Sequence, residues 1–395
     1  MNFENQSYSL GSFHLNESLL HTGGAEGYVV SLVLELEQRG VPVFLGSGRN
    51  EPLSFPHNSY LIPGVHKDTD DEHMNLNAER IESIMHDNNL DILHLHNINN
   101  GPLIEAIRAR YKTVKTVHDY RSICPVEFKV DSRSDACTQP VGDSCLRCIG
   151  GESQASIVGQ YADNVEQLKS LDLLLTTSQY VGDQLRTNGI PHEKIRVIPL
   201  FIPTNELDSC EIDQSDDKYK SDLLFVGRIE WQKGLREALR SFSLLPADSI
   251  FTVCGDGGDL AYCKELASEL GILNRVRFAG WVDTQEKVNY IANTKIVVVP
   301  SIWPEPFGLV GLESMHFKKP VVGFDVGGIS EWLHDGDNGI LVPRGDSEML
   351  SDALNHLLLN PETASEMGER GREIADSMFS AEKHIDGMLE VYAEL

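Results

Sequence analysis

Residues 303–320 read Trp303-Pro-Glu-Pro-Phe-Gly-Leu-Val-Gly-Leu-Glu-Ser-Met-His-Phe-Lys-Lys-Pro320. An apolar run, Ile296 to Pro300, stands before them and another, Pro320 to Asp325, follows. The stretch is therefore the crossover of a strand–helix–strand unit, which makes the two strands parallel. The pattern predicts a helix over Phe307 to Lys318. A rise of about 1.5 Å per residue then puts Glu305 and Glu313 on the order of 10 Å apart along the axis. The acid and nucleophile of a glycosidase sit roughly 5 to 9 Å apart around one bond, so these two carboxylates belong to different parts of one extended ligand. The amides near Phe307, Gly308 and Leu309, at the helix start, suit the phosphates of an anionic one.

Outward from this unit the same alternation repeats. Short β-branched runs at Asp222 to Gly227, Ile250 to Gly255, Val276 to Gly280 and Gly339 to Pro343 are separated by helical patterns. The first half does likewise with Val41 to Gly46, Asp91 to His96, Thr113 to His118, Leu171 to Ser178 and Lys194 to Leu200. Parallel sheets wrapped by helices follow, in an α/β chain of two doubly wound, Rossmann-like domains facing across a cleft. At 395 residues the chain exceeds what one core usually supports. The polar run after Pro203 marks the break, giving domains over 1–202 and 203–379, with the last helix, 380–395, completing the first domain. The first strand is the weakest expectation, because Ser7 to Leu15 is polar and contains Gly11.

A formal charge of −27 argues against nucleic acid as a partner, whose phosphates need basic surface. No apolar run reaches the ~20 residues of a membrane span, and the N-terminus shows no secretion signal, so a cytoplasmic location is expected. One basic cluster, Arg108, Arg110, Lys112 and Lys115, stands out. It is a candidate for contact with an anionic acceptor or, peripherally, with the inner face of the plasma membrane, or else a solvated face.

Several segments carry chemistry. In Phe225-Val-Gly-Arg-Ile-Glu-Trp-Gln-Lys-Gly234, Arg228 and Lys233 follow a strand end. A planar fork and a mobile point charge together suit a diphosphate whose charge grows as it departs. Gly23 and Gly24 open a helical pattern and permit close approach of a phosphate or sugar. His118 ends an apolar strand, where it can hydrogen-bond a sugar hydroxyl or be satisfied by Asp119 or by backbone; His94 and His96 alternate one strand earlier, and His14 and His316 carry no signal. Cys124, Cys137, Cys145 and Cys148 crowd one loop that ends in a Cys-x-x-Cys. In a reducing compartment that grouping suggests a structural zinc, with free or redox-active thiols as the alternative.

Together these segments resemble the retaining glycosyltransferases of family 4, which have the GT-B fold. The specific part spans residues 222–343: Val226-Gly-Arg with Lys233-Gly234, Gly255-Asp-Gly257, Phe278-Ala-Gly280, Val299-Pro-Ser301, Glu305 with Glu313, Pro320-Val-Val and Gly327-Gly with Glu331. The resemblance implies a nucleotide-sugar donor, UDP- or GDP-linked, and a glycan or lipid-linked acceptor in surface polysaccharide or glycoconjugate assembly. It implies a diphosphate held by Arg228, Lys233 and the amides after Phe307, with Gly227 also in the donor site, donor-sugar hydroxyls at Glu305 and the ribose at Glu313. The same resemblance implies a base read by backbone at Gly280, Trp281 and Val282, with Gly24 near the diphosphate and His118 near the sugar's 6-hydroxyl. Retention at the anomeric carbon with no required metal also follows from the resemblance, and no Asp-x-Asp motif stands at a convincing site. Two other readings are an epimerase or phosphorylase of the same fold, although no pyridoxal phosphate lysine site is found, and a catalytically idle sugar-binding scaffold.

Overall fold

The computed structural model describes residues 10–19, 24–49, 58–65, 71–131 and 135–395. Chain contacts divide it into two units: residues 1–199 with 382–395, and residues 200–381.

The first unit holds a sheet of seven strands, β1 (Ser12–Asn16), β2 (Val43–Ser47), β3 (Ser59–Leu61), β4 (Ile92–Leu95), β5 (Lys112–Val117), β6 (Leu173–Thr176) and β7 (Ile195–Val197), in the order β3-β2-β1-β4-β5-β6-β7. All pairs are parallel. Its strand order reverses between β1 and β4. The weakly expected first strand is thus central to the sheet, and its composition explains why it reads poorly. Phe13 and Leu15 fill one face, while Ser12, His14 and Asn16, fully buried, occupy the other. The alternation is that of a half-polar strand, yet both faces are covered. The edge strand β3 carries too little apolar sequence to be read in advance. The last helix, Ala381–Ala393, returns to this unit, burying Ile385, Met388, Val391 and Tyr392.

In the second unit β8 (Ser221–Val226), β9 (Phe251–Cys254), β10 (Val276–Gly280), β11 (Thr294–Val299), β12 (Val321–Phe324) and β13 (Gly339–Val342) are ordered β10-β9-β8-β11-β12-β13, again all parallel. Here the central strands are apolar runs; Leu223, Leu224, Ile296 and Val297 are each exposed by no more than 1%. Burial on both sheet faces selects such runs, which is why this half is the easier to read. The order reverses between β8 and β11, and a crevice at the carboxyl ends beside such a reversal is where open α/β sheets bind ligands. The loops leaving β8 and β11 carry Arg228, Lys233 and Glu305.

Candidate functional site

The loop after β8 leaves Arg228 exposed, and among the described residues its guanidinium makes no hydrogen bond or ion pair. One turn of 3-10 helix, Trp231–Lys233, follows and is closed by Gly234 at φ +71°. A Cβ there would lie 1.7 Å from the carbonyl oxygen of Pro300. Only glycine permits both this backbone conformation and this contact, and the contact seals the β8 loop against the β11 loop. The Lys233 ammonium is thereby delivered to Glu305, with Nζ 2.8 Å from Oε1 and 2.9 Å from Oε2.

Glu305 is buried and heavily bonded. Its Oε2 also accepts from the Ser301 hydroxyl at 2.7 Å and the Trp303 indole at 2.8 Å. Burial pushes its carboxyl towards the neutral form, but the Lys233 charge and these hydrogen bonds prevail and hold it below the usual carboxylate range. The backbone is pinned as firmly: Gly328 donates to the Glu305 carbonyl at 2.7 Å. Gly327, at φ +57°, passes so close that a Cβ would lie 2.2 Å from the same oxygen.

Beyond it the helix is shorter than expected, Leu309–His316, and begins at Gly308 with φ +98°. The Trp332 indole donates to the Phe307 carbonyl at 2.6 Å. Its ring lies against Gly311, where a Cβ would come within 2.0 Å of it. Trp332, fully buried, therefore sets where this helix starts and where its first amides point. Glu313, on the buried side of the helix, is met by Lys287 Nζ at 2.6 Å. Burial alone would lower the pKa of Lys287, and the Glu313 carboxylate more than offsets it, so the lysine is raised and stays charged. The β10 end presents Gly280 at φ +78°, whose carbonyl accepts from Gly255 at 2.7 Å, then Trp281, 64% exposed, and Val282.

Sequence reasoning places Lys233 and Glu305 separately, and the structure joins them as an ion pair. It assigns no role to Trp303, Lys287 or Trp332. A tryptophan two residues before the glutamate was the available signal for Trp303; Lys287 and Trp332 come from remote segments and carried none.

In the first unit Gly24 is the first residue of the helix Gly24–Gln38 and is exposed, while Gly23 lies outside the described residues. His118 is half-buried just past β5, and burial lowers its pKa to about 4. Asp119 does not satisfy it. That carboxylate instead pairs with Arg121, 2.7 Å away, and the partner of His118 Nε2 is His96 Nδ1 at 3.1 Å. His14, judged ordinary from sequence, is fully buried beside His94 and His96; His316, likewise judged ordinary, is buried in the second unit with Nε2 2.8 Å from Asp208.

Cys124, Cys137, Cys145 and Cys148 line one cavity of about 500 Å³ as free thiols. Burial, with Cys137, Cys145 and Cys124 nearby, raises the pKa of Cys148. Among the described residues, the group of three or more metal-ligating side chains with donor atoms within 4.8 Å of one another is His14, His94 and His96, not the cysteines. Of the four residues of the basic cluster Lys115 alone is buried, Arg108 is half-buried, and Arg110 and Lys112 are exposed. Lys115 bonds the Ile98 carbonyl and Asn99, Arg108 pairs with Glu105, and Arg110 with Glu82. Among the described residues no helix is long and apolar enough to cross a membrane.

Comparison with known proteins gives a consistent answer. The family profile described as Glycosyltransferase Family 4 matches residues 22–206, and that described as Glycosyl transferases group 1 matches residues 211–374. The lipopolysaccharide core biosynthesis glycosyltransferase LpsE of Rhizobium meliloti is 28% identical over 246 residues, 62% of this chain and 70% of that protein. The alpha-D-kanosaminyltransferase of Streptomyces kanamyceticus is 25% identical over 249 residues, 60% of this chain and 64% of the relative. Among solved structures, Anabaena HepE in complex with UDP superimposes with a TM-score of 0.75 at 19% identity, covering 98% of this chain and all of that one.

Proposed function

The chain is a glycosyltransferase of the GT-B architecture, related to glycosyl transferases group 1, and from that premise we propose that it transfers a sugar, with retention at the anomeric carbon, from a UDP- or GDP-linked donor to a hydroxyl of a glycan or lipid-linked acceptor. The process is the assembly of surface polysaccharide or lipopolysaccharide, as the name of the LpsE relative suggests. The observation that carries the reading is the Lys233–Glu305 pair held at the strand-order reversal of the second unit. An ammonium already oriented by a carboxylate, with the exposed Arg228 fork on the same loop, is a prepared receptor for a diphosphate.

In the reaction the bond between the anomeric carbon and the diphosphate oxygen breaks, and its electron pair goes to that oxygen. Arg228, Lys233 and the amides at Phe307, Gly308 and Leu309 stabilise the charge that develops there. The acceptor hydroxyl oxygen bonds to the anomeric carbon on the same face, and its proton passes to the departing phosphate. Two side-chain cations and a helix start supply the positive potential a divalent cation would otherwise provide, so no metal is required. Glu305 orients donor-sugar hydroxyls, Glu313 the ribose, and the backbone at Gly280 to Val282 the base. His118 hydrogen-bonds the transferred sugar.

Calorimetry of the purified chain with UDP, GDP and their sugar conjugates, each with magnesium and with a chelator, tests this reading. Binding of one nucleotide family, unaltered by the chelator, is the expected result. Failure of every nucleotide to bind would overturn it in favour of the idle scaffold, and turnover of the donor sugar without any acceptor would point to an epimerase. The zinc reading of Cys124, Cys137, Cys145 and Cys148 is settled by metal analysis of the same preparation, where a content far below one zinc per chain removes it.

A further inference from the structure

Three of the four histidines around β1, β4 and β5, namely His14, His96 and His118, form a directed chain. Ser12 Oγ lies 3.1 Å from His14 Nε2, His14 Nδ1 lies 3.1 Å from His96 Nε2, and His96 Nδ1 lies 3.1 Å from His118 Nε2. In His14, His96 and His118 Nε2 points inward and Nδ1 outward. At the inner end the Tyr392 hydroxyl approaches His14 Nε2 at 3.4 Å and His94 Nδ1 at 2.6 Å, and His94 Nε2 meets Thr116 Oγ1 at 2.7 Å. At the outer end, among the described residues, His118 Nδ1 makes no hydrogen bond.

The compact trio His14, His94 and His96 has the make-up of a metal site. Its bonding argues otherwise. All six ring nitrogens already have protein partners, and an ion would have to displace ring-to-ring hydrogen bonds to reach a lone pair. Burial lowers the pKa of His14 to about 3 and those of His94 and His96 far below the usual value, so the rings are neutral. A neutral imidazole carries one N–H and one lone pair, and a bond between two such rings consumes one of each. If His96 holds its proton on Nε2, then His14 must accept there through Nδ1 and hold its own proton on Nε2, while His118 must donate from Nε2. If His96 holds it on Nδ1, both neighbours switch together.

We infer that His14 and His96 are positioning residues for His118: two ring-to-ring hydrogen bonds force the three imidazoles into one common tautomer, so that the hydrogen-bond direction at His14 Nε2, where the hydroxyls of Ser12 and Tyr392 lie, and the role of His118 Nδ1 as donor or acceptor are set together. The consequence for specificity rests on the sugar-transfer reading. A Nδ1–H tolerates a hydroxyl or a carboxylate on the sugar carbon it faces; a Nδ1 lone pair requires a hydroxyl or an amine and rejects the carboxylate.

Histidine-selective 15N labelling of the full chain and long-range 1H–15N correlation at neutral pH read the tautomers directly. His14, His96 and His118 are expected to share one tautomer. The His14→Asn variant, whose amide can turn either an N–H or a carbonyl to His96, is expected to shift the His118 signals from one tautomer to an average of both. Different tautomers among the three rings, a protonated ring, or a His118 signal unmoved in His14→Asn would overturn the proposal. The wild-type spectrum suffices should the variant not fold. This readout needs no substrate, so its failure is separable from failure of the sugar-transfer reading, which nucleotide calorimetry tests.

Discussion

Both units wind a parallel sheet in the same order around a reversal point, yet they fill the space beside that point with opposite chemistry. In the first unit the polar groups lie under the strands as neutral imidazoles and hydroxyls, each satisfied by another. In the second they stand past the strand ends as full charges in pairs, Lys233 with Glu305 and Lys287 with Glu313. Depth explains the choice. A buried charge costs several kcal/mol unless it is paired and bonded, whereas a neutral hydrogen-bonded ring can be placed in the core at little net cost. A topology thus leaves open whether its ligand end is built from charge or from hydrogen-bond direction.

The largest expected effect breaks the charged half. Lys233→Ala removes the cation assigned to the departing diphosphate and leaves Glu305 buried without its counter-charge. Turnover should fall by about 100- to 1,000-fold, and near-normal turnover in a steady-state assay would defeat the assignment. Next comes the joint between the β8 and β11 loops. Gly234→Ala forces a Cβ into the Pro300 carbonyl and should cost roughly 2 to 4 kcal/mol in urea unfolding of the chain; an unchanged midpoint would show that the loops are free to separate.

Acid should separate the units. His14, His94, His96, His118 and His384 all have folded-state pKa values lowered by burial. The unfolded chain then binds more protons than the folded one at any pH between about 6.5 and the depressed values near 4 and 3. The stability these groups confer is complete above pH of about 6.5 and is lost as pH falls through that window. All four tryptophans, Trp231, Trp281, Trp303 and Trp332, lie in the second unit. Between pH 7 and 5 the protection of amides in the described part of residues 10–199, corrected for the intrinsic exchange rate at each pH, should therefore fall while tryptophan emission holds; simultaneous change in both would break the contrast. The smallest effect is at the second ion pair. Glu313→Gln should weaken UDP or GDP binding by about tenfold, and unaltered affinity in calorimetry would remove the ribose role.

Legibility followed the same division. Strands β8, β9, β11 and β12 were readable because burial on both faces demands largely apolar runs, and the glycines and cations between the strands sit at short sequence separation from the strand ends. β1 was nearly illegible, since a face made of Ser12, His14 and Asn16 imitates a solvent-facing edge. His118 was visible as a polar residue at the end of an apolar strand. Its link to His96 and on to His14 was not, because His96 lies just past β4, which pairs with β5, and His14 lies on β1, which reaches β5 only through β4. Lys287 and Trp332 escaped for the same reason: one lies on a helix well before Glu313 and the other beyond the next strand, and neither has a local pattern that marks it.

Composition, periodicity and the spacing of glycines with charges were enough to establish two doubly wound sheets and to single out the residues proposed to meet a diphosphate, because those depend on interactions within a few tens of residues. Which carboxylate neutralises which lysine, where the helix at Leu309 begins, and which tautomer His118 presents depend on contacts between segments up to hundreds of residues apart. Tyr392 beside His14 and Trp332 against Gly311 exist only once the sheets have assembled, since hydrogen bonds and close packing act at a few ångströms and follow position in space, not order along the chain.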